Sequence, residues 1–229
     1  MKIVGLRELA NAALDNAKML LQEASLLANH QHYSRAYFLA VASIEETGKS
    51  AIAHDAQGRN LQDQAVRSKV ERMLTEHASK IRAAFVGFVA ADPHKNAEPA
   101  IELIVQLQRG REPSMYTELC QDGTIYRPAT SVSQSNAIDC IRLADRCLRS
   151  VEHHVQNTPP RSSNSVEDRF FALKSGETSK IMNRSDFWWY HISRMEAGQN
   201  DLAQSVISYR QNYLLQGREF ERTDPESAA

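Results

Sequence analysis

From Ala36 to Ala42 every residue is apolar (Ala36, Tyr37, Phe38, Leu39, Ala40, Val41, Ala42), and Ser34 just before them is a good helix N-cap. A helix that is apolar on all sides has to be enclosed by other elements. The run therefore predicts a buried second helix at the centre of a packed unit. Ahead of it, Leu6, Leu9, Ala13, Ala17, Leu20, Leu21, Ala24 and Leu27 recur at helical spacing, with Arg7, Glu8, Asp15, Lys18 and Glu23 between them. That pattern predicts an amphipathic first helix from Leu6 to about Asn29, ended by the polar break His30, Gln31, His32.

The rest of the chain continues in the same idiom. After a turn at Gly58, Arg59 and Asn60, the stripe Val66, Val70, Met73, Leu74, Ile81, Ala84, Phe85, Phe88 predicts a third helix running to about Ala91, ended by Pro93. A shorter helix is expected from about Glu98 to Gln108, with Pro99 tolerated in its first turn. Between Met115 and Tyr126 the helical period fails, and Asp122-Gly123 sits among Tyr116, Leu119, Ile125 and Tyr126, the pattern of a small β-hairpin. Ser133 or Ser135 starts another helix, with Ile138, Ile141, Ala144, Leu148, Val151 and Val155 inward. Pro159, Pro160 and the serines Ser162, Ser163 and Ser165 predict a linker. Beyond it lie the aromatic cluster Phe187 to Tyr190 and a last helix from an Asp201 cap to about Gln216. Nine glycines and seven prolines in 229 residues are few, which favours helices over turn-rich β architecture. The expected class is all-α, divided as 1–157 helical domain, 158–182 linker, 183–218 helical extension and 219–229 flexible tail.

A formal net charge of −1 supplies no global field to attract nucleic acid or an anionic membrane, so any polyanion site must be local. Cys120, Cys140 and Cys147 form no CxxC pair; an odd number of thiols fits reduced cysteines in a cytoplasmic protein. Charged residues at Arg7 and Glu8 interrupt the N-terminus before a secretory apolar region develops, and no window is long enough to span a bilayer. The expectation is a cytoplasmic protein with no membrane partner. The histidines show no HExxH or His/Cys spacing for a metal, no GxSxG or phosphate-binding glycine loop occurs, and no cofactor is implied.

The residues able to carry chemistry are polar groups on apolar helices. Glu45 and Glu46 follow the apolar turns of the second helix, and Lys49 lies within reach of either. This is either an ordinary helix pair, worth about 0.2–0.5 kcal/mol, or part of a buried polar cluster. His77 falls on the stripe of the third helix, with Lys80 about 60° away. If the second and third helices pack antiparallel, Glu45 or Glu46 meets His77 and Lys80. Arg72 and His77 form an R-x4-H spacing, but on a straight helix five residues turn about 140°, so the two converge only through a distortion or a second subunit. The same spacing recurs at Arg149 and His154, showing how readily it arises. Arg142, Arg146, Arg149 and His153 share one polar face, able to track phosphates or to be balanced by acids such as Asp139 and Asp145.

In order, Tyr33-Ser34-Arg35-Ala36, Ser43-Ile44-Glu45-Glu46-Thr47-Gly48-Lys49, His77-Ala78-Ser79-Lys80, Met115-Tyr116, Asp122-Gly123 and Tyr126-Arg127-Pro128 resemble the abortive-infection AbiV family of the HEPN superfamily. The resemblance covers about residues 6–155 and rests chiefly on the Glu-Glu-x-Gly-Lys segment. It implies a HEPN-like antiparallel helical bundle, here with a small β-hairpin insertion and extra C-terminal helices. It also implies frequent homodimerisation, a role in defence against phage and, in active members, metal-independent cleavage of RNA. The positions matching the active motif are Arg72 and His77, with Met73 standing where active members commonly carry a polar residue. The resemblance then implies a metal-independent endoribonuclease toxin that blocks translation. His77 would act as general acid or base, Arg72 would stabilise phosphorane charge, and Glu45, Glu46, Lys49 and Lys80 would orient or tune His77. RNA would be the substrate, contacted by Arg142, Arg146, Arg149 and His153. The alternative is a non-catalytic HEPN module that binds a phage-encoded or host protein.

Overall fold

The computed structural model describes residues 3–91, 107, 114–160, 162, 164–199 and 201–221, which form ten α-helices, one short 3-10 helix and one two-stranded antiparallel sheet. The chain divides into two compact units: residues 1–58 with 70–161, and residues 59–69 with 162–229. No helix among the described residues is long and apolar enough to cross a membrane. The all-α expectation is met. The expected helix from Glu98 to Gln108, apart from the buried helical residue Leu107, and the final residues 222–229 lie outside the described residues.

In the first unit α1 (Ile3–Asn29) and α2 (Tyr33–Ala56) form a hairpin. α1 ends as Gln31 takes a left-handed φ of 63° and the His32 amide donates back to the Leu27 carbonyl at 2.9 Å, the bond that closes a Schellman turn. α2 packs against α1, α4 (His77–Ala91) and α6 (Gln134–Asn157), which is why its apolar residues face in several directions. Ala40, Val41 and Ile44 form a core with Ala24, Ile81, Ala84, Phe85, Leu143, Ala144 and Cys147. Ser43, fully buried, donates its hydroxyl to the Ala17 carbonyl at 2.8 Å, so a polar atom at the α1–α2 contact is satisfied rather than stranded.

The single third helix expected up to Ala91 is two helices, α3 (Gln64–Thr75) and α4, with Glu76 between them. Asp63 caps α3, its carboxylate accepting the Ala65 and Val66 amides at 2.8 and 3.3 Å. At the other end the Thr75 hydroxyl donates to the Arg72 carbonyl at 2.9 Å, the local side-chain bond that competes with helical pairing. Glu76 then serves the start of α4: its carbonyl accepts the Lys80 amide at 3.2 Å and its carboxylate accepts the Ser79 hydroxyl. Apolar spacing continues in phase across the break, so periodicity alone could not reveal it.

The hairpin pairs β1 (Glu118–Leu119) with β2 (Ile125–Tyr126), Glu118 opposite Tyr126 and Leu119 opposite Ile125. Gly123 at φ 84° makes the turn, and the Asp122 carboxylate accepts the Thr124 amide at 2.9 Å. A short α5 (Pro128–Ser131) follows. Ser133 caps α6 by accepting the Asn136 amide at 3.1 Å. The inward face of α6 is Ala137, Cys140, Leu143, Ala144, Cys147, Leu148 and Val151, turned slightly from the expected stripe so that two thiols are buried and Ile138 and Ile141 are only partly covered.

The second unit corrects the expected linker at 158–182. Asn164 accepts the Val166 and Glu167 amides at 2.9 and 2.8 Å and starts α7 (Ser165–Ala172), followed by α8 (Ser175–Met182). With α9 (Ser185–Glu196) and α10 (Leu202–Asn212) these bury Leu173, Ile181, Phe187, Val206, Ile207 and Tyr209. Ser165, one of the serines that predicted a linker, opens α7 beside the Asn164 cap, and Leu173 and Ile181 of the segment supply part of a core.

Asp186 ties this unit together: it accepts from Tyr209, from Arg184 at 3.0 Å and from the Phe220 amide at 3.1 Å. Burial pushes its carboxyl upward, but the hydrogen bonds from Tyr209, Arg184 and Phe220 outweigh that and hold it below the ordinary 3.8. A carboxyl depressed in the folded state stabilises it above the unfolded pKa and loses that contribution as pH falls through the folded one. Trp188 and Trp189, the chain's two tryptophans, both lie in this unit. Their fluorescence melt is therefore expected to fall steeply below pH 3.8 in the wild type and more gently in Asp186→Asn; identical slopes would remove Asp186 from the account.

Candidate functional site

Gly48 is the residue that lets the site form. A Cβ built there would lie 1.7 Å from the Lys80 carbonyl oxygen and 3.0 Å from the Ala84 amide nitrogen, so the backbones of α2 and α4 touch at this point. One turn earlier on α2, Glu45 faces the same helix. Its carboxylate accepts the His77 Nδ1–H at 2.7 Å and pairs with the Lys80 ammonium at 3.1 Å. The Glu45 side chain is only 5% exposed and that of Lys80 only 8%, whereas His77 is 54% exposed. A buried ion pair thus holds one edge of an imidazole whose other nitrogen, Nε2, is turned away from the carboxylate.

The conditional expectation that α2 and the His77 helix meet is fulfilled through Glu45. Glu46 and Lys49, expected to orient His77 as well, instead pair with each other across one turn of α2, partly exposed. Glu45, His77 and Lys80 are drawn together; Glu46 and Lys49 form the ordinary helix pair.

Arg72 lies in the last turn of α3 and His77 opens α4, so the two stand on separate helices with the break at Glu76 between them. Arg72 is exposed and has no ion pair or side-chain hydrogen bond among the described residues. Glu76, between them, is engaged by Ser79 and lies 3.9 Å from Arg82. The segment therefore presents an imidazole and a guanidinium at one helix junction, with the intervening acid turned to the α4 side chains.

Arg142, Arg146, Arg149 and His153 are all exposed on α6, as their spacing implied. Arg142 pairs with Asp139 at 3.2 Å and Arg149 with Asp145 at 2.9 Å. His153 is hydrogen-bonded with the Asn157 amide at 3.1 Å. Exposed pairs of this kind contribute about 0–1 kcal/mol, so they hold the arginines only weakly.

Sequence reasoning missed one constellation. His54 and Asp55, at the end of α2, come together with His154 in the last turn of α6, their ligand-type atoms all within 4.8 Å of one another. Spacing along the chain does not reveal it, because the two histidines stand a hundred residues apart. Chain distance carries no information about such a pairing once two helices are packed.

A family model described as AbiV, of the HEPN group, matches residues 5–149, well over half of the chain. The chain belongs to the AbiV family. The matched span takes in α1, α2, the Glu45–His77–Lys80 cluster, the hairpin and most of α6, and leaves the second unit's C-terminal helices outside. The AbiV assignment and the helical HEPN fold therefore agree with the resemblance drawn from Glu45 to Lys49 and His77 to Lys80, and they place the protein in an abortive-infection class. Neither a curated protein nor a solved structure matches this AbiV chain.

Proposed function

We propose that this AbiV protein acts in abortive infection as a metal-independent endoribonuclease whose reacting group is His77. The observation that supports the reading is the Glu45–His77 hydrogen bond. A buried carboxylate on Nδ1–H fixes the tautomer and orientation of the ring and leaves Nε2 to exchange a proton with a ribose 2′-hydroxyl or a leaving oxygen. Arg72, without a partner among the described residues, supplies positive charge for a pentacovalent phosphorane. Lys80 has no such freedom: it is buried on Glu45 and acts by holding the carboxylate in place. Glu46 and Lys49 belong to the packing of α2 and not to the reaction.

RNA is the proposed substrate, with Arg142, Arg146, Arg149 and His153 as its backbone track; the weak pairs to Asp139 and Asp145 exchange readily for phosphate. A homodimer in the cytoplasm, two Arg72–His77 junctions facing one another, is the proposed working assembly. Met73, apolar after Arg72, favours a second reading in which the unit binds a phage-encoded or host protein without cleaving RNA.

Purified wild type incubated with RNA in EDTA is expected to cleave it, while His77→Ala and Arg72→Ala, folded by circular dichroism, do not. Cleavage equal in all three, or absent from the wild type, overturns the catalytic reading. Growth arrest that persists in both folded variants supports the binding module instead.

A further inference from the structure

We propose that His54, Asp55 and His154 form a zinc-class metal site that staples the C-terminal end of α2 to that of α6. Two observations carry it independently. One ring nitrogen from each histidine and a carboxylate oxygen of Asp55 lie within 4.8 Å of one another, and His154 Nε2 stands 3.5 Å from Asp55 Oδ1. Zn–N and Zn–O bonds of about 2.0–2.1 Å in a tetrahedron put neighbouring ligand atoms roughly 3.3–3.5 Å apart, so that pair is already at ligand spacing. The second observation is the state of His54. Only 5% of the residue is exposed, and its Nε2 is buried with no hydrogen-bond partner among the described residues. An orphaned imidazole nitrogen beside a second histidine and a carboxylate has the chemistry of a ligand.

The three residues also differ in freedom in a useful way. His54 is fixed in the core, whereas the side chains of His154 and Asp55 are 42% and 54% exposed and can close on an ion by small rotations. The histidine rings meet edge to face, 5.3 Å between centroids, so no intervening side chain has to move. An ion reaches the site from solvent past the exposed side chains of Asp55 and His154, and water supplies a fourth ligand. Two imidazoles with one carboxylate select a borderline transition ion such as Zn²⁺ over Mg²⁺ or Ca²⁺, which prefer all-oxygen shells. The site lies nine residues from Glu45 along α2, about 13 Å at helical rise. It therefore takes no part in the His77 chemistry, which is proposed to survive EDTA.

The test is a calorimetric titration of the chelator-treated full chain with Zn²⁺, paired with thermal melts. One Zn²⁺ per chain, undisturbed by excess Mg²⁺, and a rise in melting temperature on loading are expected. His154→Gln and Asp55→Asn, both at exposed side chains, are expected to bind about tenfold or more weakly and to lose the thermal rise, while His32→Gln behaves as wild type. Co²⁺ in place of Zn²⁺ should give the visible absorption of a tetrahedral ion in the wild type and His32→Gln, and not in His154→Gln or Asp55→Asn. Absence of saturable binding, or binding unchanged in both ligand variants, overturns the site; the first leaves an Asp55–His154 ion pair only, the second places the ion on surface histidines.

Discussion

Gly48→Ala is expected to destabilise the first unit by about 3 kcal/mol or more, at or beyond the usual range for overpacking. The new methyl would sit 1.7 Å from the Lys80 carbonyl oxygen and 2.6 Å from its carbon, so the obstruction is backbone and cannot rotate aside. Relief requires α2 and α4 to part, which uncovers Ile44, Ile81, Ala84 and Phe85 in the shared core. Against this stands the higher helix propensity of alanine, worth about 1 kcal/mol. The steric term wins because it is paid along a whole helix contact. Urea unfolding followed by circular dichroism measures the outcome. Gly176→Ala in α8 is the control: nothing lies within 4 Å of its added Cβ, and it is expected to be neutral or slightly stabilising. A Gly48→Ala protein as stable as wild type would mean that the two helices do not touch there.

Lys80→Met is expected to cost about 3–5 kcal/mol, the range for breaking a buried ion pair from one side. It leaves the Glu45 carboxylate, 5% exposed, beside the His77 imidazole with the cation that neutralised it removed. Removing both charges in Glu45→Leu/Lys80→Met is expected to recover most of that loss, because desolvating the pair offsets most of its attraction. The double variant separates stability from function. It folds, yet His77 no longer has a carboxylate on Nδ1, so RNA cleavage is expected to fall although the imidazole is intact. A Lys80→Met loss below about 1 kcal/mol would show the pair to be hydrated like a surface bridge.

These two predictions concern one segment, Glu45 to Lys49, and they divide its residues by role. Glu45 faces α4 and holds His77; Gly48, one turn on, admits the α4 backbone; Glu46 and Lys49 lie round the side of the helix and pair with each other. A segment that reads as one charged turn is thus two devices on two faces. Their separation follows from helical geometry, since positions 45 and 48 share a face while 46 and 49 form the neighbouring row.

Much of the first unit could be read directly from residues. The apolar run at Ala36 to Ala42 required an enclosed helix, the period from Leu6 to Leu27 required its partner, Asp122-Gly123 marked the hairpin, and Ser133 marked the start of α6. Each is a local signal that acts through backbone preference or burial, and each survives packing. The break at Glu76 was not legible, because it arises where Thr75 and Glu76 satisfy helix ends while the apolar stripe continues in phase. The helices within 158–182 were missed for the converse reason: serine and proline dominate the segment's appearance, but Asn164 caps a helix and Leu173 and Ile181 find a core. Propensity was overruled there by burial that only the fold supplies.

What the amino-acid sequence by itself determined is therefore the helical class, the α1–α2 hairpin, the β-hairpin and the family, all written in short-range periodicity, caps and ordered motifs. What only the tertiary structure decided is which polar groups meet: Glu45 rather than Glu46 on His77, Lys80 buried beneath them, and His54 with Asp55 beside His154. The physical reason is that a side chain's rotation about its helix is set by packing to within tens of degrees, while a hydrogen bond or a metal ligand depends on tenths of an ångström between helices far apart in the chain.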